Sequence, residues 1–145
     1  MTSASSSKLR FLPYVPAILL TLTGLVANAT PSRPDLGVKR LVLTHGVNGK
    51  EPSDRESVKT FKSSDDRVYA FVEIDNPKKN EDRILVTFEP PVGAAHAEIP
   101  LKVGESSRFR TWAFTRRAHE AGTWSVVVRD THGHELARER FTVER

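Results

Sequence analysis

From residue 38 onward, apolar and polar residues alternate with a period of two, in short runs separated by clusters of Gly, Pro, Asn and Asp. Alternation of this kind suits strands with one dry face and one wet face. Residues 67–74 show it most plainly, with Val68, Ala70, Val72 and Ile74 on one face and Tyr69, Phe71 and Glu73 on the other. In residues 38–44, Leu41 and Leu43 share a face. Residues 83–89 are almost continuously β-forming, and Pro90-Pro91 ends the run. Residues 97–103 alternate through Ile99, Leu101 and Val103, with Pro100 marking a position near a sheet edge. Strands follow at 108–115, 123–129 and 136–143, the last two joined by a tight hairpin over 130–134 with Gly133 at its tip.

The segments between are read from their turn formers. Residues 45–52, His-Gly-Val-Asn-Gly-Lys-Glu-Pro, are too rich in them to predict a regular element. Residues 53–66 are polar and offer only Val58 and Phe61 for burial, which predicts a loop with at most a weak edge strand. Residues 116–121 have room for one helical turn. No segment shows a 3.6-residue period. Seven to eight strands at this spacing predict an all-β fold, an immunoglobulin-like antiparallel β-sandwich over 38–145, with a small closed barrel as second choice.

The first 29 residues follow another pattern. Lys8 and Arg10 precede an uncharged apolar run over 11–27, and Ala27-Asn28-Ala29 has the small-x-small form of a cleavage site. This is the layout of a secretory signal peptide, cut after Ala29. The run is shorter than the ~20 residues that span a bilayer, and Pro13, Pro16 and Gly24 weaken it as a helix. The expectation is an exported protein, periplasmic or secreted, with no stable membrane span after cleavage. Residues 30–37 then form an extended Pro-rich linker.

Composition narrows the classes. There is no cysteine, so disulfides and a cysteine-linked lipid are both excluded. The 22 basic and 18 acidic residues are interspersed, which argues for a solvated surface and against a nucleic-acid track.

Residues 109–114, Phe-Arg-Thr-Trp-Ala-Phe, are followed by Ala121-Gly122-Thr123-Trp124-Ser125-Val126-Val127-Val128-Arg129-Asp130, then Gly133, Leu136 and Phe141-Thr142-Val143. This order of aromatic-Arg-x-Trp, Gly-x-Trp-x-Val-x-Val, Asp-x-x-Gly, Leu and Phe-x-Val resembles a bacterial family known as domain of unknown function 2914. Gly49-Lys50-Glu51-Pro52 and Val68-Tyr69-Ala70-Phe71 extend the likeness over residues 38–143. The strand holding Val86-Thr87-Phe88 departs from the family pattern, which carries a His-x-Trp pair there, so no role of that pair carries over. The resemblance implies an exported sandwich module and names no activity.

Candidate chemistry is sparse. His132 and His134 are the only closely spaced histidines, and His-x-His can offer two imidazoles to a metal. They flank a turn glycine, where ring directions are poorly fixed, so the expectation is surface histidines and no metal or other cofactor. Trp124 shares a face with Val126 and Val128 and reads as core. Trp112 shares a face with Arg108, Arg110 and Phe114, and a guanidinium can stack on an indole there. Arg108, Arg110, Arg116 and Arg117, with Lys102, make the densest positive cluster; charges on edge strands also discourage aggregation. Asp65, Asp66, Asp75, Glu81 and Asp82 match no calcium loop, and Gly-x-Ser-x-Gly is absent. The expectation is therefore no enzyme, but a binding or structural module of the bacterial cell envelope. It would meet an envelope protein or cell-wall polymer through Arg108, Arg110 and Trp112, with the loop 46–52 second. The alternative is a small metal-binding or hydrolytic protein using His132, His134 and loop acids.

Overall fold

The computed structural model describes residues 34–145. The expected signal peptide, with its cleavage residues Ala27 and Ala29, lies outside the described residues. Ten strands follow one another: β1 (Gly37–Thr44), β2 (Val47–Asn48), β3 (Glu51–Pro52), β4 (Thr60–Lys62), β5 (Val68–Asp75), β6 (Asp82–Glu89), β7 (Ile99–Val103), β8 (Arg108–Thr115), β9 (Gly122–Asp130) and β10 (Glu135–Glu144). Among the described residues no helix is long and apolar enough to cross a membrane.

The strands form a three-stranded sheet ordered β1-β5-β8 and a five-stranded sheet ordered β4-β10-β9-β6-β7, with β2 and β3 as a small separate ribbon. All pairs are antiparallel except β4 with β10. Consecutive strands β5 and β6 lie in different sheets, and so do β7 and β8. This is immunoglobulin-like connectivity: β1, β5 and β8 take the places of strands A, B and E, while β6, β9 and β10 take those of C, F and G.

The dry faces are the alternating sets read from the sequence. Leu43, Val68, Ala70, Val72 and Ile74 pack against Ile84, Val86, Phe88, Trp124, Val126, Val128, Phe141 and Val143. With no disulfide between the layers, aromatic rings fill the centre. Trp124 stacks on Phe141 with centroids 6.1 Å apart, and Phe61 meets Phe141 edge-on at 5.4 Å. The Trp124 Nε1–H donates to the Glu120 carbonyl at 2.8 Å, which satisfies the one polar atom of the indole. Gly122 precedes it with φ of +136°, and a Cβ there would meet Pro91 Cβ at 2.9 Å, so the strand can start only on glycine.

Two segments differ from the sequence expectation, and in a third the weak edge strand that it allowed is present. Residues 45–52 do form regular structure: Gly49, at φ of +63°, turns a two-residue hairpin in which Val47 faces Pro52 and Asn48 faces Glu51. Within 53–66, β4 pairs with β10 because Phe61 buries its ring in the core, and one large side chain suffices to hold a polar segment. Upstream of it, Asp54 Oδ2 accepts from the Thr44 hydroxyl at 2.8 Å and the His45 amide at 2.9 Å, and the Val58 amide donates to the Leu43 carbonyl at 2.8 Å. Hydrogen bonds replace apolar burial there, so periodicity carries no trace of them. Residues 116–121 form a bend and a turn without a helical turn. Within the expected linker 30–37, Leu36 is buried and Gly37 already belongs to β1.

Candidate functional site

The outward face of the three-stranded sheet brings the sequence-picked residues together. Cross-strand register sets three rows on it: Arg40, Glu73 and Arg110; Val42, Phe71 and Trp112; Thr44, Tyr69 and Phe114. Arg108 lies one row further, opposite Asp75.

The two arginines turn out to be committed within the fold. The Glu73 side chain is only 4% exposed, and the Arg108 Nε donates to its Oε1 at 2.5 Å while the Arg110 Nε lies 3.4 Å from its Oε2. Arg110 also reaches Glu51 Oε1 at 2.5 Å, and Arg40 reaches Glu51 Oε2 at 3.6 Å. Glu51 belongs to the β2–β3 hairpin, so these pairs tie the hairpin onto the sheet, and Val42 and Phe71 in the neighbouring row are buried. The loop 46–52 is thus a clasp on this face. Burial alone pushes the Glu73 carboxyl up, but the hydrogen bond from Arg108 and the charges of Arg108 and Arg110 outweigh it and hold the group below its ordinary range.

What stays open is aromatic. Trp112 is 37% exposed and Phe114 43% exposed, side by side on the same face of β8. Tyr69 meets Phe114 with centroids 5.4 Å apart, and the guanidinium groups of Arg67 and Arg116 lie 4.9 and 5.9 Å from the Phe114 ring. The Arg67 Nη1 donates to the Tyr69 hydroxyl at 3.0 Å. β8 is the last strand of its sheet, and among the described residues its outer edge pairs with no strand. Sequence spacing points to Trp112 as a site residue, and Phe114, two residues on, carries the same signal. Arg67 and Tyr69 join only through the β5–β8 register, which composition does not disclose.

A second cluster sits at the β9–β10 turn. Asp130 is buried; its Oδ1 accepts from the His132 and His134 amides at 2.9 and 2.8 Å, and its Oδ2 pairs with His134 Nδ1 at 2.7 Å. The His134 ring direction is therefore fixed, contrary to what the turn glycine suggests, because a carboxylate four residues back holds it. Burial pushes Asp130 up, and the side-chain and backbone hydrogen bonds from His134 and His132 more than reverse that, leaving it below its usual value. Elsewhere His45 pairs with Asp54 at 3.1 Å, His119 with the Ser63 carbonyl at 2.9 Å, and His96 packs edge-on against Trp124. The loop acids do not converge: Asp65 caps the Lys62 amide, Asp66 pairs with Arg67, Glu81 with Lys102, and Asp75 lies in β5.

Residues 81–143 match the model of a family described as Protein of unknown function (DUF2914). The match covers β6 to β10, so it bears out the family resemblance read from the Trp112 and Trp124 motifs, while the 49–52 and 68–71 segments lie before it. No curated protein matches the chain. Among solved structures, an immunoglobulin-like protein from Pseudomonas aeruginosa is similar, at 10% identity and a TM-score of 0.49, over 77% of this chain and 98% of that one.

Proposed function

We propose that this chain is an exported, non-catalytic binding module of the bacterial cell envelope, which holds a protein partner against the outer face and open edge of β8. The observation that carries the reading is the exposed pair Trp112 and Phe114 on a strand whose outer edge is unpaired. A contiguous exposed apolar patch marks an interaction site, and aromatic side chains supply contact area at low entropic cost. An unpaired edge offers backbone N–H and C=O groups to an extended peptide, and the flanking aromatics supply side-chain pockets. Arg67, Arg116 and Arg117 around Phe114 favour an acidic segment as that peptide. The charged start, apolar run and Ala27-Asn28-Ala29 of the first 29 residues support export and a periplasmic or secreted location.

A photo-crosslinking side chain installed at Trp112 in living cells tests this. Position 112 is expected to give an adduct with a discrete envelope protein, and the same group at exposed Lys39 on β1 is expected to give none. Equal adducts from both positions, or none from position 112, would remove the proposal.

A further inference from the structure

We infer that the β9–β10 turn is a binding site for a divalent first-row transition metal, held by Asp130, His132 and His134. One donor atom from each of the three lies within 4.8 Å of the other two. Beside them is a cavity of about 200 Å³, whose wall also carries the carboxylates of Asp35 and Asp82. Asp35 is held by Lys78 at 2.6 Å, and Asp82 Oδ1 accepts from the Arg83 amide at 2.7 Å. Among the described residues Asp82 makes no ion pair, so it is the acid on that wall free to complete a fourth position, with water as its competitor.

The turn prepares the set. Asp130 Oδ1 is fixed by two backbone N–H groups, so the carboxylate stays in place whatever partner Oδ2 takes. The Gly133 amide donates to the Asp130 carbonyl at 3.1 Å and the Asp130 amide to the His134 carbonyl at 3.0 Å, which closes the turn independently of the imidazoles. Gly133, at φ of +87°, brings the chain around so that two residues spaced i, i+2 present their rings on the same side, with centroids 6.1 Å apart. Metal bonds of ~2.0–2.2 Å place neighbouring donors ~3–3.5 Å apart, so a separation as wide as 4.8 Å must close by roughly 1 Å, and the metal displaces the hydrogen bond between Asp130 Oδ2 and His134 Nδ1 wherever it takes those two atoms. The His132 ring is the part that can move: it is exposed and, among the described residues, makes no hydrogen bond.

The donors select the metal class. Two imidazole nitrogens and a carboxylate oxygen suit zinc, nickel or copper(II). Copper(I), which wants thiolate or thioether, has no such donor here: the chain has no cysteine, and Met1 is its single methionine.

Zinc chloride titrated into metal-stripped protein, followed by calorimetry and by thermal melting, tests the site. Wild type is expected to bind one zinc per chain and to melt higher in its presence, since a ligand held only by the folded state stabilises it. His132→Ala is expected to melt unchanged without metal, because its ring holds nothing, and to bind zinc at least tenfold more weakly (about 1.4 kcal/mol). His119→Ala, on another turn, is expected to bind as wild type does. Saturable binding absent up to ~1 mM, which is about 4 kcal/mol of affinity, would overturn the inference. So would equal affinity in wild type and His132→Ala.

Discussion

Glu73 is the residue whose surroundings differ most from what its type prefers. A carboxylate on the wet face of a sheet would ordinarily sit in water, yet this one is buried between two guanidinium groups. Its folded value lies below the ordinary 4.5. A group depressed in this way contributes stability that is complete above its unfolded value and is lost as pH falls through the folded one. Urea midpoints of wild type and Glu73→Gln are therefore expected to differ at pH 7, by about 1–3 kcal/mol for lost hydrogen bonds to a charged group. The difference should shrink as pH falls below the ordinary 4.5 and through the lower value that Glu73 has in the fold. A gap that stays constant with pH would show that ionisation of Glu73 contributes nothing. Asp54 and Asp130 are also held low, so acid weakens the protein at several points, and the variant comparison isolates one of them.

Among elements, β4 shows how little sequence signal a strand needs. Its neighbours are polar, and only Phe61 reaches the core, so a reading by period sees a loop with at most a weak edge strand. Strands β5, β6, β9 and β10 were legible because each carries several inward residues in alternation, and the core members named there are the buried ones. The β2–β3 hairpin was hidden for a different reason. Its strands are two residues each, and the contacts that hold it, Glu51 with Arg40 and Arg110, join residues far apart in sequence. Phe61→Ala is expected to cost about 3–5 kcal/mol, like any large core truncation. In a thermal melt that is a fall of about 12–20 °C at ~4 °C per kcal/mol, where the ranges for smaller and larger domains meet, whereas a loop residue would shift it by about a degree or two. Gly122→Ala tests the start of β9. The positive φ and the 2.9 Å approach to Pro91 predict a loss of roughly 1–3 kcal/mol, measured as a lower urea midpoint with an unchanged slope.

For the whole molecule, the sandwich leaves two kinds of surface. One is closed by its own ion pairs: Arg138 with Glu89 and Glu135, Lys59 with Glu139, and Arg108 and Arg110 with Glu73. The other is the aromatic stretch of β8 beside Arg67 and Arg116. Sequence alone points to β8 but does not disclose the carboxylate beside Arg108 and Arg110, because a charge cluster looks unpaired until register reveals a buried partner. Arg110 needed Glu73 opposite it, and that pairing comes from a strand 35 residues upstream of Arg108. The proposed role of Trp112 and Phe114 is to meet a partner and not to pack the fold. Its most direct measurement compares wild type with the double variant Trp112→Ala, Phe114→Ala, by thermal melting and by capture of the envelope protein crosslinked at position 112. Melting within a few degrees of wild type together with loss of capture is the predicted result. Retained capture, or a collapse in melting temperature comparable to that of Phe61→Ala, would contradict it.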